Sequence, residues 1–280
     1  MSSKIVVASG KGGTGKTTVA VSLALSVGNC QFLDADAEEP NAHLFLHPTI
    51  EKTIPVTMMV PEIDSDRCTY CGKCVEFCQF NALAVLKEEI LIFPELCHGC
   101  TGCVYACPEN AITGRDRHIG EVEIGVAREM PFVQGRLKPT EPTAVRIVRE
   151  SMNSLDPNLD AVIDAAPGTA CAVQDTIGEA DFCLLVTEPT PFGLHDLCMA
   201  ADLVKELDVP AAVVINRSSH RDPLIEDACR ERGLPILLKI PFDRRIAEAY
   251  SQSMPIVDAF PEYREKFVGV YEEIQQRVKS

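Results

Sequence analysis

The chain is 280 residues long, enough for one large α/β domain with a small guest or for two ordinary domains. Hydrophobic residues make up 46% of it, and 41 acidic side chains against 26 basic ones give a formal charge of −15, which repels phosphate backbones and argues against a nucleic-acid partner. No apolar run reaches membrane-spanning length, residues 5–8 are too short for a secretion signal, and Glu competes with Lys and Arg along the C-terminal segment, so no membrane association and a cytoplasmic location are expected.

In chain order, residues 4–9 read as a strand, 10–17 as a glycine-rich loop and 18–27 as a helix. A second strand over 30–36 runs into an acidic loop over 37–41. Composition shifts at about Pro61, and from there to about Arg117 cysteine is dense and helical periodicity weak. Past Glu121 the alternation returns, with helices expected at 143–152, 193–206, 222–232 and 261–280. Strands are expected at 161–165, 182–187, 211–216 and 235–240. Strands alternating with helices over short loops predict an α/β fold, a mostly parallel sheet flanked by helices. The cysteine-rich middle interrupts that alternation, so residues 1–60 and 118–280 are expected to form one domain, with an α+β domain inserted over 61–117.

Gly10-Lys11-Gly12-Gly13-Thr14-Gly15-Lys16-Thr17 satisfies the P-loop pattern. Glycines let successive backbone N–H groups turn toward one anion, and the following helix adds its positive N-terminus. In that pattern Lys16 neutralises the β- and γ-phosphates of ATP, and the Thr17 hydroxyl coordinates Mg²⁺.

Lys11, followed by Gly12-Gly13-Thr14-Gly15-Lys16-Thr17-Thr18, resembles the deviant P-loop of the MinD, Mrp and nitrogenase Fe-protein superfamily. The resemblance implies a nucleotide-sandwich dimer, either a homodimer or a heterodimer with a related ATPase, in which Lys11 reaches the other subunit's nucleotide. A solvated loop lysine is the alternative. Phe32-Leu33-Asp34-Ala35-Asp36 resembles the end of the family's second strand, which implies that Asp36 orients the attacking water and Asp34 supports the metal. Val162-Ile163-Asp164-Ala165-Ala166-Pro167-Gly168 is similar to the family's Walker B strand, with Asp164 holding Mg²⁺ through water and Gly168 meeting the γ-phosphate. Val213-Val214-Ile215-Asn216-Arg217 resembles the adenine-recognition strand, and Pro241 lies where the loop covering the base would run.

Cys68, Cys71, Cys74 and Cys78 read C-x₂-C-x₂-C-x₃-C, and Cys97, Cys100, Cys103 and Cys107 repeat that spacing. Asn81-Ala82-Leu83 recurs as Asn110-Ala111-Ile112 at the same offset. Thiols stay reduced in the cytoplasm, so these cysteines point to metal before disulfides. The spacing is that of bacterial ferredoxins with two [4Fe–4S] clusters, in which the fourth cysteine of each run ligates the other cluster. One cluster is then expected on Cys68, Cys71, Cys74 and Cys107, the other on Cys97, Cys100, Cys103 and Cys78. A pair of zinc sites is the rival reading. Pro108 follows the second run, whereas Gln79 stands at the matching place after the first. Cys30, Cys183, Cys198 and Cys229 read as small core residues. Cys171 falls seven residues after Asp164, where the Fe protein carries a cluster cysteine, but no second upstream cysteine lies between Cys107 and Cys171.

Taken whole, the chain resembles MinD-superfamily ATPases carrying an inserted ferredoxin domain. The resemblance implies ATP hydrolysis coupled to electron transfer toward an unidentified redox partner. A cluster carrier of the Mrp type delivering to a client protein, and a positioning ATPase of the MinD and ParA type, are the alternatives.

Overall fold

The computed structural model describes residues 2–279. Met1 and Ser280, the outer limits of the expected host domain, lie outside the described residues. A nine-stranded sheet runs through the molecule in the order β11-β10-β9-β1-β8-β2-β7-β6-β3. Its parallel part comprises β1 (Lys4–Ala8), β2 (Gln31–Asp34), β7 (Met130–Leu137), β8 (Ala161–Asp164), β9 (Phe182–Thr187), β10 (Ala211–Ser218) and β11 (Ile236–Pro241). β1, β2, β8 and β9 are almost wholly buried, which is why their sequences are near-continuous apolar runs.

Helices close both faces. On one, Val6, Leu33, Ile163 and Leu185 pack under α5 (Val145–Asn153), α6 (Cys171–Gly178), α7 (Pro191–Glu206) and α8 (Pro223–Arg232). On the other, Val7, Phe32, Phe132 and Val162 pack under α1 (Lys16–Val27) and α11 (Glu262–Val278), with α2 (His43–Leu46) and α10 (Ile256–Ala259) at the margin. α9 (Arg244–Ser251) lies before α10. Among the described residues no helix is long and apolar enough to cross a membrane.

Two long strands lie outside the expected alternation. β3 (Thr49–Ile63) and β6 (Ile112–Ala127) pair antiparallel from Thr49 opposite Val126 to Ile63 opposite Ile112, and β6 pairs antiparallel with β7. They extend the sheet into a two-stranded ribbon. The ribbon runs through both expected boundaries, at residues 60/61 and 117/118, so both fall inside sheet strands. Val56, Met58 and Val60 are buried along it, alternating with Pro55, Thr57 and Met59.

Beyond the ribbon's tip lie α3 (Lys73–Phe77), the hairpin β4 (Leu83–Leu86) with β5 (Glu89–Ile92), a 3₁₀ turn at Pro94–Leu96, and α4 (Gly102–Ala106). The sequence repeat is a structural repeat. Left-handed backbone recurs in register at Tyr70 and Gly99 (φ 54° and 64°), at Gly72 and Thr101 (77° and 63°), and at Asn81 and Asn110 (53° and 47°). Asparagine and glycine carry such angles at low steric cost.

Candidate functional site

The P-loop leaves the end of β1 and feeds α1. Gly13 and Gly15 adopt φ 79° and 91°, and a Cβ on Gly10 would meet the Asp196 carbonyl oxygen at 2.1 Å, so the tight path depends on glycine. Lys16 is 7% exposed, and its Nζ donates to Asp164 Oδ1 at 2.6 Å. Burial alone would lower the Lys16 pKa, but the carboxylates of Asp164, Asp36 and Asp34 leave it raised. Asp34 and Asp164 are register partners at the ends of β2 and β8. Burial, helped by the Asp164 charge, pushes Asp34 up to about 7. Burial pushes Asp36 up to about 6. One ammonium among three carboxylates leaves net negative charge, and Asp164 Oδ2 is buried with no hydrogen-bond partner. The unpartnered Asp164 oxygen is a hard donor of the kind that Mg²⁺ takes.

Asp34 has a second task. Its Oδ1 accepts from Asp36 N at 3.1 Å, and its Oδ2 from Asn41 N at 3.0 Å and Ala42 N at 2.9 Å. The carboxylate therefore shapes the loop that carries Asp36. Gly168, with φ 92°, donates its N–H to Ser9 O at 2.8 Å, which brings the two phosphate-side loops together.

The cleft over the P-loop has a volume of about 370 Å³ and is open to solvent. Gly12, Gly13, Gly15, Lys16, Thr17 and Thr18 form its floor, and Lys11 and Asp36 also line it. Asn216, Arg217, Pro241, Phe242, Ile246 and Tyr250 line it as well. Asn216 Nδ2 donates to Thr14 O at 2.7 Å, tying the end of β10 to the phosphate loop. Thr14 Oγ1 is buried without a partner. Lys11 Nζ and Arg217 Nη1 both pair with Glu188, at 2.9 Å and 2.7 Å. Glu188, Phe242, Ile246 and Tyr250 were absent from the sequence-derived set. A lone acid after a strand, or an apolar helix face, carries no motif.

The eight clustered cysteines fall into two cavities. Cys68, Cys71, Cys74 and Cys107 line one, and Cys97, Cys100, Cys103 and Cys78 line the other. Each cavity takes its fourth cysteine from the other run. Backbone N–H groups already point at sulfur: Ala82 N donates to Cys78 Sγ at 3.4 Å, and Ala111 N to Cys107 Sγ at 3.3 Å. Gly99 N donates to Cys97 Sγ at 3.4 Å. Burial raises the Cys74 and Cys97 thiols and pushes Cys103 up to about 11. Thiolate there needs positive charge beside it, which a bound metal supplies. Among the described residues no three His, Cys, Asp or Glu side chains gather around a single-ion site. Cys171 is exposed at the start of α6, outside both cavities.

A parallel sheet whose strand ends present a glycine loop, a buried lysine and a row of aspartates, beside an open cleft, defines a P-loop nucleotide-hydrolysing ATPase. Residues 5–256 match the CobQ/CobB/MinD/ParA nucleotide binding domain, and the chain belongs to that family. An uncharacterized protein of Methanocaldococcus jannaschii is 30% identical over 252 residues, covering 88% of each chain. An iron-sulfur cluster carrier protein of Pyrococcus horikoshii is 24% identical over 302 residues, covering 97% of this chain and 88% of its own. Among solved structures, the septum site-determining protein MinD with Mg-ADP, from Pyrococcus horikoshii, superposes with a TM-score of 0.59 at 22% identity. That match covers 98% of this chain and 96% of the other.

Proposed function

We propose that this ATPase couples nucleotide-driven dimer closure to electron transfer through two [4Fe–4S] clusters held in a ferredoxin-like module over about residues 61–117. The observation that carries the reading is the sorting of eight cysteines into two cavities of four, each completed by the other run. A lone zinc ion needs four sulfurs about 2.3 Å from one point. Two sets of four soft thiolates, each completed by the other run, suit a multi-iron cube instead. When bound, such a cluster supplies a one-electron redox centre. The protein's own part is to supply eight thiolates, to aim backbone N–H groups at their sulfurs, and to hold the two cavities against each other through the crossed fourth ligands.

On the ATPase side, Lys16 leaves Asp164 for the β- and γ-phosphates, and Asp164 is thereby freed to hold Mg²⁺ with Thr17. Asp36 orients the attacking water, while Asp34 keeps the Asp36 loop in shape and supports the metal. Gly168 meets the γ-phosphate. Asn216, Arg217 and Pro241 receive the adenine. Lys11 leaves Glu188 to reach the phosphates of a second subunit, so full hydrolysis requires a dimer.

The test pairs two variants of anaerobically purified protein. Lys16→Ala is expected to abolish ATP hydrolysis and to leave iron content unchanged. Cys68→Ser is expected to lose iron while nucleotide binding survives. If either change removed both properties from a folded chain, the division of labour would be wrong. A carrier reading is favoured by the similarity to iron-sulfur cluster carrier proteins and by the exposure of Cys71 and Cys100. Transfer of iron from the loaded protein to an apo-ferredoxin, quickened by ATP, would move the conclusion to that reading.

A further inference from the structure

The two cysteine cavities repeat each other in backbone but not in electrostatic surroundings. The second, of Cys78, Cys97, Cys100 and Cys103, abuts Met59 and Pro61 of β3, on the side of the ribbon nearer the ATPase body. The first abuts Ile63 and Ile112, the ribbon's last rung, and Glu109 is among its lining residues.

Arg117 on β6 stands directly opposite Met58 on β3. Directly opposed residues of an antiparallel pair share a face of the sheet. Gly99 is seated on that Met58: a Cβ at Gly99 would come within 2.4 Å of Met58 Cγ. Arg117 therefore leaves the ribbon on the face against which Gly99 packs. Its positive field reaches the Cys97 sulfur, where it acts against the raising effect of burial.

The hydrogen bonding of Arg117 is incomplete. Nη2 donates to Glu141 Oε1 at 2.6 Å, but Nη1 is buried with no partner, and so is Glu141 Oε2. Glu141 belongs to the segment between β7 and α5. Leu137, at the start of that segment, donates its N–H to Ala37 O at 2.8 Å, beside the loop that bears Asp36. Neither cavity counts a lysine or arginine among its lining residues, and Lys73, between Cys71 and Cys74 of the first, is exposed. Arg67 donates to the Glu109 carbonyl from an exposed position, where water screens its charge.

We infer that Arg117 is a tuning residue of the second cavity: its charge holds the cluster of Cys78, Cys97, Cys100 and Cys103 at a more positive midpoint potential than the cluster of Cys68, Cys71, Cys74 and Cys107. The inference rests on the reading that both cavities hold clusters. A nearby cation and hydrogen bonds to cluster sulfur favour the reduced, more negative state. The outward sulfur pair thus forms the low-potential end of the module, and the pair nearer the ATPase body forms the high-potential end.

The test is an EPR-monitored redox titration of the full-length, iron-loaded protein, with each signal assigned by its change in Cys71→Ser and Cys100→Ser. Wild type is expected to show two separate midpoints, the more positive belonging to the Cys100 signal. Arg117→Met is expected to shift that midpoint negative and narrow the gap, with the other midpoint and the iron content unchanged. Glu141→Gln, which removes the neutralising carboxylate, is expected to shift the same midpoint positive; it keeps the inference testable should Arg117→Met fail to load. Equal midpoints in wild type, a gap unchanged in both variants, or a gap abolished by His98→Gln instead would overturn it. A chain that takes up no iron would overturn the cluster reading itself, a result separate from unmoved potentials in a loaded protein.

Discussion

The ATPase body and the cysteine-bearing tip of the ribbon are stabilised by different means. In the body, two apolar cores lie on opposite faces of one sheet, and Phe32, Phe132, Phe182 and Phe267 are fully buried. In the tip, the main core has only Cys74, Leu83, Ile90, Cys103 and Ile112 as buried members, two of them proposed ligands. Burial scales with size, and a segment this small rarely holds itself together without a metal or cross-link. The body folds by excluding water. On the proposed reading, the tip depends on what its cysteines bind.

The strongest way to break that contrast is to withdraw the metal. Chelation of iron under anaerobic conditions is expected to erase hydrogen-exchange protection over residues 64–111 while leaving β1, β8 and β9 protected and nucleotide binding intact. A body that unfolded together with the tip would show one cooperative unit instead of two. Core truncations sharpen the contrast. Phe132→Ala, in the body, is expected to cost about 3–5 kcal/mol in global denaturant unfolding. Ile90→Ala, in the tip, is expected to leave that transition in place and to cost about 2 kcal/mol, seen as faster iron loss. The smallest effect belongs to the repeated turns. Asn110→Ala, at φ 47°, is expected to cost about 1 kcal/mol through left-handed backbone strain, again visible in iron retention and not in ATP turnover.

The same contrast explains what could be read from the sequence. The P-loop and both cysteine runs are local patterns, so Lys16 and the grouping of the eight cysteines were legible from spacing, whereas Asp164 was marked only by its resemblance to the family's Walker B strand. The aspartates were legible in place, but Asp34 also spends both its oxygens on backbone N–H groups, which no motif announces. The ribbon was not legible. Pro55 and Pro61 interrupt β3, and register shifts at 50/52 and 56/57 break its alternation, as befits the edge strand of a sheet. Arg117 and Glu188 were missed for a related reason. Their meaning comes from partners far along the chain, Glu141 and Met58 for one, Lys11 and Arg217 for the other.

The rung that ends the ribbon also bears on how such a chain is put together. Ile63 and Ile112 face each other across one strand spacing, and Asp64 donates its N–H to Ala111 O at 2.8 Å just beyond them. Everything from residue 64 to residue 111 therefore enters and leaves through a doorway about 5 Å wide. A two-residue Asn-Gly turn could close that doorway and convert the ribbon into an ordinary hairpin. The cysteine-bearing segment can in this way be added to or taken from the ATPase at a single joint, without re-threading any parallel strand of the sheet.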